Sequence, residues 1–99
     1  MTDRITDRPR PTDRPSDRTT DGAILATLTG ILRDLLGDPG IVLTPATTRP
    51  EVPRWDSFAY VSFIVAVEVE YGIRFPIADV EAFKTVGDIV TAIRKLKAA

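Results

Sequence analysis

The sequence predicts an all-α fold: a small four-helix bundle, three main helices plus a short third helix, with a long loop between helices one and two. Three observations predict it. Apolar residues recur at helical spacing in three stretches, near 24–36, 60–71 and 86–96, the pattern of helices that bury one face. Each stretch begins beside a residue able to cap a helix, and the first two end at Gly37 and Gly72, where glycine can take the left-handed conformation that closes a helix. Between those two stretches, Pro39, Pro45, Pro50 and Pro53 exclude both a helix interior and a central strand.

Helix one opens at Asp21, which is placed to cap it. Ile24, Leu25, Leu28, Ile31, Leu32, Leu35 and Leu36 then recur on one face until Gly37 stops it. Residues 38–54 form a loop that is long for so small a domain, with Ile41, Val42 and Leu43 as its expected anchors.

The second helix, from Ser57 to Tyr71, is ambiguous in its local pattern. Val61, Phe63, Val65, Val67, Val69 and Tyr71 alternate as in a strand, and β-branched residues lower helix propensity. A helix is still the expectation. At about 100° per residue Tyr60, Ile64, Val67 and Tyr71 fall in one stripe, and a lone strand would find no partner elsewhere in the chain. The same wheel sets Phe58, Val61, Val65 and Val69 on roughly the opposite side. That second face is either buried inside the bundle or a docking patch for other proteins.

Phe75-Pro76 closes this segment, and Asp79 to Phe83 are expected to form the short third helix. Thr85 opens the last one, with Asp88 at capping-box spacing. Val86, Ile89, Val90, Ile93 and Leu96 make its apolar face, and Arg94, Lys95 and Lys97 sit at the favourable end of its dipole.

The bundle is expected to span residues 21–97. Residues 1–20 are different in kind, repeating Thr-Asp-Arg or Ser-Asp-Arg between prolines, with five Arg against four Asp and only Met1 and Ile5 apolar. Such a segment buries too little surface to offset its ordering entropy and is expected to be a disordered low-complexity tail.

Ninety-nine residues, 43% hydrophobic and 27% charged, suffice for one small domain. The chain has no cysteine and no histidine, which excludes disulfides, thiolate nucleophiles, imidazole base catalysis and the usual zinc sites together. With a net charge of −1 and basic residues interspersed among acids, no nucleic-acid partner is indicated. No apolar run approaches a bilayer span or a secretory signal, so a soluble, cytoplasmic, monomeric protein is expected. The carboxylates Asp56, Glu68 and Glu70 read as a solvated helix face, so no catalytic residue is assigned and an enzyme is not expected.

The most informative residue is Ser57, in Trp55-Asp56-Ser57-Phe58. Its plain reading is the ordinary Asp-Ser pair of a helix start, capped through the acid. The same position also offers an anion free backbone N–H groups and the positive end of the helix dipole. A serine there is well placed to carry a phosphodiester.

Taken together, these segments resemble the acyl carrier protein family, in its discrete type. Asp56-Ser57-Phe58 is similar to the family's Asp-Ser-Leu attachment motif, and Glu68-Val69-Glu70-Tyr71-Gly72-Ile73 to the end of its second helix. Pro76, the Thr85-Val86-Gly87-Asp88 start of the fourth helix, the phrase Leu43-Thr44-Pro45 and Trp55 extend the likeness over residues 21–97. The resemblance implies a covalent 4′-phosphopantetheine on Ser57, installed from coenzyme A by a phosphopantetheinyl transferase that binds its own magnesium. It implies partners as well: an acyl- or aminoacyl-loading enzyme, and a ketosynthase or other acyl-processing enzymes.

The family's recognition surface is the second helix, which marks Asp56, Phe58, Val61, Val65 and Glu68 as the partner-binding residues here. Two positions depart from the pattern, because Ser62 and Val69 stand where acids are expected. Acyl transport for fatty acid, polyketide or related specialised biosynthesis is the leading expectation. An aminoacyl or peptidyl carrier, and an unmodified helical interaction module, are the alternatives.

Overall fold

The computed structural model describes residues 20–98. They hold four α-helices: α1 (Asp21–Leu36), α2 (Ser57–Tyr71), α3 (Ile77–Ala82) and α4 (Val86–Ala98). The low-complexity segment, apart from Thr20, lies outside the described residues. Helix α1 packs on both α2 and α4, so its fully buried Ile24, Leu28 and Leu32 form the middle of the core. Leu35, expected on that face, is instead exposed at its edge.

Thr20 rather than Asp21 caps α1. Its backbone is extended, and its Oγ1 accepts from the Ala23 N–H at 3.2 Å. Asp21 is already helical, with its charge near the positive end of the dipole, and it pairs with Arg94 of α4 at 3.2 Å. The folded unit thus includes a residue that composition alone assigns to the end of the tail.

The long loop is ordered by backbone contacts. Ile41 and Leu43 are buried while Val42 lies in solvent. Val42 is therefore no anchor, and Val52 and Trp55, both buried, complete the set. Further stitching comes from α4: the Val86 N–H donates to Thr47 O and the Gly87 N–H to Pro45 O, each at 2.9 Å.

Gly87 permits this approach, since a Cβ there would stand 2.8 Å from the Pro45 carbonyl oxygen. Backbone cannot give way as a flexible side chain can. Gly87→Ala is expected to lower stability by about 1–3 kcal/mol, measured as a lower urea midpoint at unchanged slope.

The start of α4 is the capping box that its sequence suggests. Asp88 Oδ2 accepts from the N–H groups of Lys84 (2.8 Å) and Thr85 (3.2 Å), and Thr85 Oγ1 accepts from the Asp88 N–H at 3.2 Å. These amides hold the Asp88 carboxyl below its usual value of 3.8. A lowered folded-state pKa means that the carboxylate stabilises the fold at neutral pH and loses that contribution as pH falls below the unfolded value toward the folded one. Asp88→Ala is expected to cost about 0.5–2 kcal/mol at pH 7, with the gap from wild type closing in acid when followed by thermal melts across pH.

Helix α2 is helical throughout, which resolves the strand-like alternation. Its buried stripe is wider than the wheel suggests: Phe63, fully buried, joins Ile64, Val67 and Tyr71, whereas Tyr60 is only half-buried. The difference arises because a bulky ring beside the stripe can fill the space under Trp55, whose ring meets Phe63 edge-on at 5.2 Å. Opposite the core, Phe58, Val61, Val65 and Val69 are 82%, 57%, 52% and 78% exposed. The second apolar face therefore lies in solvent.

Helix α3 begins two residues earlier than expected, at Ile77 directly after Pro76, and ends at Ala82. Proline suits a helix start because its missing N–H would have had no helical acceptor. The preceding turn is held by Glu68, whose Oε2 accepts from the Phe75 N–H at 2.7 Å, and by Phe75 meeting Phe83 edge-on at 5.4 Å.

Candidate functional site

The approach to α2 is built by a turn over residues 52–55. Pro53 occupies its second position, Arg54 its third with φ 70°, and the Trp55 N–H donates to Val52 O at 3.2 Å, the pattern of a type II turn. A left-handed arginine costs about 1–2 kcal/mol relative to relaxed backbone. The turn drives Trp55 into the core and leaves Asp56 and Ser57 outside, so the burial of one large ring sets the direction of the next two side chains.

Asp56 is the N-cap. Its Oδ1 accepts from the Ala59 N–H at 2.9 Å, and its carbonyl accepts from the Tyr60 N–H at 2.8 Å. Ser57 is the first residue of α2 and is exposed. Because Asp56 caps through Ala59, the amides of Ser57 and Phe58 keep no intrahelical acceptor. The serine hydroxyl thus stands in water beside the positive end of a helix.

Arg49 is the site residue that sequence reasoning missed. It opens a single 3-10 turn, Arg49–Glu51, held at its start by the Thr48 N–H donating to Glu51 Oε1 at 3.2 Å. That turn sends the guanidinium across to the helix, where Nη1 donates to Ser57 Oγ at 3.3 Å and the charge lies 5.5 Å from the centre of the Tyr60 ring. The Thr48-x-x-Glu51 spacing is a visible signal for the turn. Its aim toward residue 57 is not.

Beside Ser57 runs a groove of about 600 Å³ between α2 and α3, walled by Tyr60, Val61, Val65, Phe75, Ile77 and Val80. Tyr60 bridges the two helices through its hydroxyl, which donates to Val80 O at 2.7 Å. Burial pushes the Tyr60 phenol above its usual pKa, with the Arg49 charge pulling the other way, so the phenol stays protonated and able to donate at neutral pH.

The residues marked from sequence as partner-facing sort into two groups. Phe58, Val61 and Val65 share the exposed face of α2 with Asp56 at its head. Glu68 is half-buried and commits one carboxylate oxygen to the Phe75 amide, so it shapes the turn into α3 as well as bordering the groove.

Comparison with known proteins defines the class. Residues 26–93 match the family model described as "Phosphopantetheine attachment site", a span that contains Ser57 and the whole of α2. The meromycolate extension acyl carrier protein of Mycobacterium leprae is 32% identical over 74 residues, covering 75% of this chain and 64% of that protein. The chain thus spans just under two thirds of that relative's length. The acyl carrier protein of Acidothermus cellulolyticus is 34% identical over 70 residues, covering 71% of this chain and 83% of its own. Among solved structures, the holo acyl carrier protein from Geobacter metallireducens superposes with a TM-score of 0.70 at 36% identity, covering 75% of this chain and 85% of the other. The chain belongs to the acyl carrier protein family, whose prosthetic group is a covalently attached 4′-phosphopantetheine.

Proposed function

We propose that this protein carries acyl intermediates as thioesters on a phosphopantetheine arm attached to Ser57 Oγ, in fatty acid, polyketide or related specialised biosynthesis. One observation carries the reading: an exposed serine hydroxyl at the first residue of α2, beside an arginine and at the mouth of an apolar groove. When bound, the arm supplies a thiol that holds acyl groups. The protein's own residues supply the attachment point and its surroundings.

In attachment, Ser57 Oγ forms the new bond to phosphorus as the phosphoanhydride bond of coenzyme A breaks and adenosine 3′,5′-bisphosphate leaves. The hydroxyl proton passes to a base on the transferase. Uncapped amides at the head of α2 and the Arg49 guanidinium suit the negative phosphodiester that results. The groove is walled mainly by apolar side chains, with Glu68 and Glu81 also on its border, and the apolar walls suit an acyl chain.

Partners in this reading are a phosphopantetheinyl transferase, an acyl-loading enzyme and acyl-processing enzymes such as a ketosynthase. They would dock on Phe58, Val61 and Val65 with Asp56 at the edge. An apolar face of this size, in solvent on a small protein, is the usual mark of a protein-binding surface. With Ser62 and Val69 in place of acids, docking depends more on these apolar contacts than on charge.

The test is intact mass after incubation with coenzyme A and a broad-specificity transferase. The expected result is a gain of one phosphopantetheine on the wild-type chain and none on Ser57→Ala. No gain, or a gain that persists in the variant, refutes the reading.

A further inference from the structure

We infer that Arg49 is a positioning residue for the arm: its guanidinium pairs with the phosphodiester on Ser57 and holds the arm's first segment against the Tyr60 side of the groove. This rests on attachment at Ser57 and goes beyond it. Neither the pattern of the attachment motif nor its capping acid requires a cation eight residues upstream of the serine.

Three observations converge on Arg49. Its Nη1 already donates to Ser57 Oγ at 3.3 Å, and in the ester the non-bridging phosphate oxygens lie only one bond beyond phosphorus from that atom, within the sweep of the same guanidinium. Its charge has no carboxylate partner within ion-pair distance among the described residues, where the ion pair found is Arg94 with Asp21. Its direction is set from below, by the Tyr60 ring at 5.5 Å and by the capped 3-10 turn that carries it. An arginine held this way loses little further freedom on pairing, and its planar fork can meet two phosphate oxygens at once.

Position explains the consequence. Arg49 and Tyr60 both line the α2/α3 groove, and Tyr60 is bonded across it to Val80. A phosphate drawn to Arg49 starts the arm on the groove side of α2, along the margin of the exposed face that Val61 and Val65 share with the groove and away from Phe58 and Val69. Cargo would then leave Ser57 toward Val61, Val65 and Ile77.

The experiment uses the full chain in apo and holo forms, with loading verified by intact mass. In wild type, the Arg49 side-chain Nε–Hε resonance is followed through conversion, and phosphorus relaxation reports the order of the phosphate. The expected result is a shift of the Arg49 signal on loading and an ordered phosphate. Arg49→Gln should lower the ordered fraction about two- to fivefold, the scale of an exposed ion pair, and Arg49→Lys should restore part of it. Salt near 1 M, where the screening length falls to about 3 Å, should loosen the wild-type arm and leave the Gln variant unmoved.

Arg54→Gln removes an equal charge nearby and should change little. An unshifted Arg49 signal on Ser57-dependent loading overturns the clamp alone, as does an equal response to Arg49→Gln and Arg54→Gln. Absence of loading, or loading that survives Ser57→Ala, overturns the attachment reading together with it. Should Arg49→Gln fold poorly or resist loading, the wild-type resonance decides the matter by itself.

Discussion

Truncating Phe63 to alanine is expected to remove about 3–5 kcal/mol of stability, the range for a fully buried ring whose cavity cannot close. Phe63 is wholly buried, meets Trp55 edge-on, and lies in the helix that packs on α1. Small domains have only about 5–15 kcal/mol in total, so the variant should be marginal, with its urea midpoint displaced far below that of wild type. Ile64→Ala, on the same stripe, should cost about 2–5 kcal/mol. Val65→Ala, one residue further along but about half exposed, should stay within about 0.5 kcal/mol while weakening partner binding. Equal losses at positions 63 and 65 would mean that both faces of α2 are buried, and the exposed docking strip would have to be abandoned.

Ser57→Ala should leave the fold intact and abolish loading completely. The fold is expected to stay unchanged for a local reason. Asp56, not Ser57, satisfies the Ala59 amide and caps α2, and the hydrogen bond lost, from Arg49, is exposed. Exposed changes of this kind move stability by less than about 0.5 kcal/mol. Asp56→Ala is the informative contrast. It should cost about 0.5–2 kcal/mol through the lost cap and, with the hydroxyl still present, should still gain the arm, more slowly for want of the Asp56 contact with the transferase, so the end-point mass of the pair separates the helix start as structure from the helix start as attachment point. Thermal melts and intact mass on the same samples read both effects, and a large loss of melting temperature in Ser57→Ala would contradict the assignment of capping to Asp56.

Much of the fold is legible in the sequence because the relevant forces act over a few residues. Glycines at 37 and 72 close α1 and α2 with φ 65° each, as their positions suggest, and Thr85 and Asp88 cap α4 reciprocally. Periodicity places the buried faces of α1 and α4, and helical geometry outweighs the β-branched alternation of α2. Sequence and structure part where a contact from elsewhere in the chain decides the outcome. Val42 is as apolar an anchor as Ile41, yet the fold of the loop leaves it in solvent while Ile41 and Leu43 join the core. Phe63 falls outside the core stripe of the wheel because nothing in the wheel shows Trp55 above it. Thr20 belongs to the tail by composition, whereas its hydrogen bond to Ala23 makes it part of α1.

For the attachment site the division is sharper. Local chemistry alone names Ser57 and its capping acid, because a helix start is specified by adjacent residues and exposes its amides whatever the rest of the molecule does. Sequence likewise shows that α2 has two apolar faces. Which face meets α1, and that the other stays in water, depends on how three helices share one small core. The presence of Arg49 beside Ser57 depends on how the loop folds back over α2: a 3-10 turn, a left-handed Arg54 and the burial of Trp55 bring together side chains eight positions apart, a proximity that spacing along the chain does not encode.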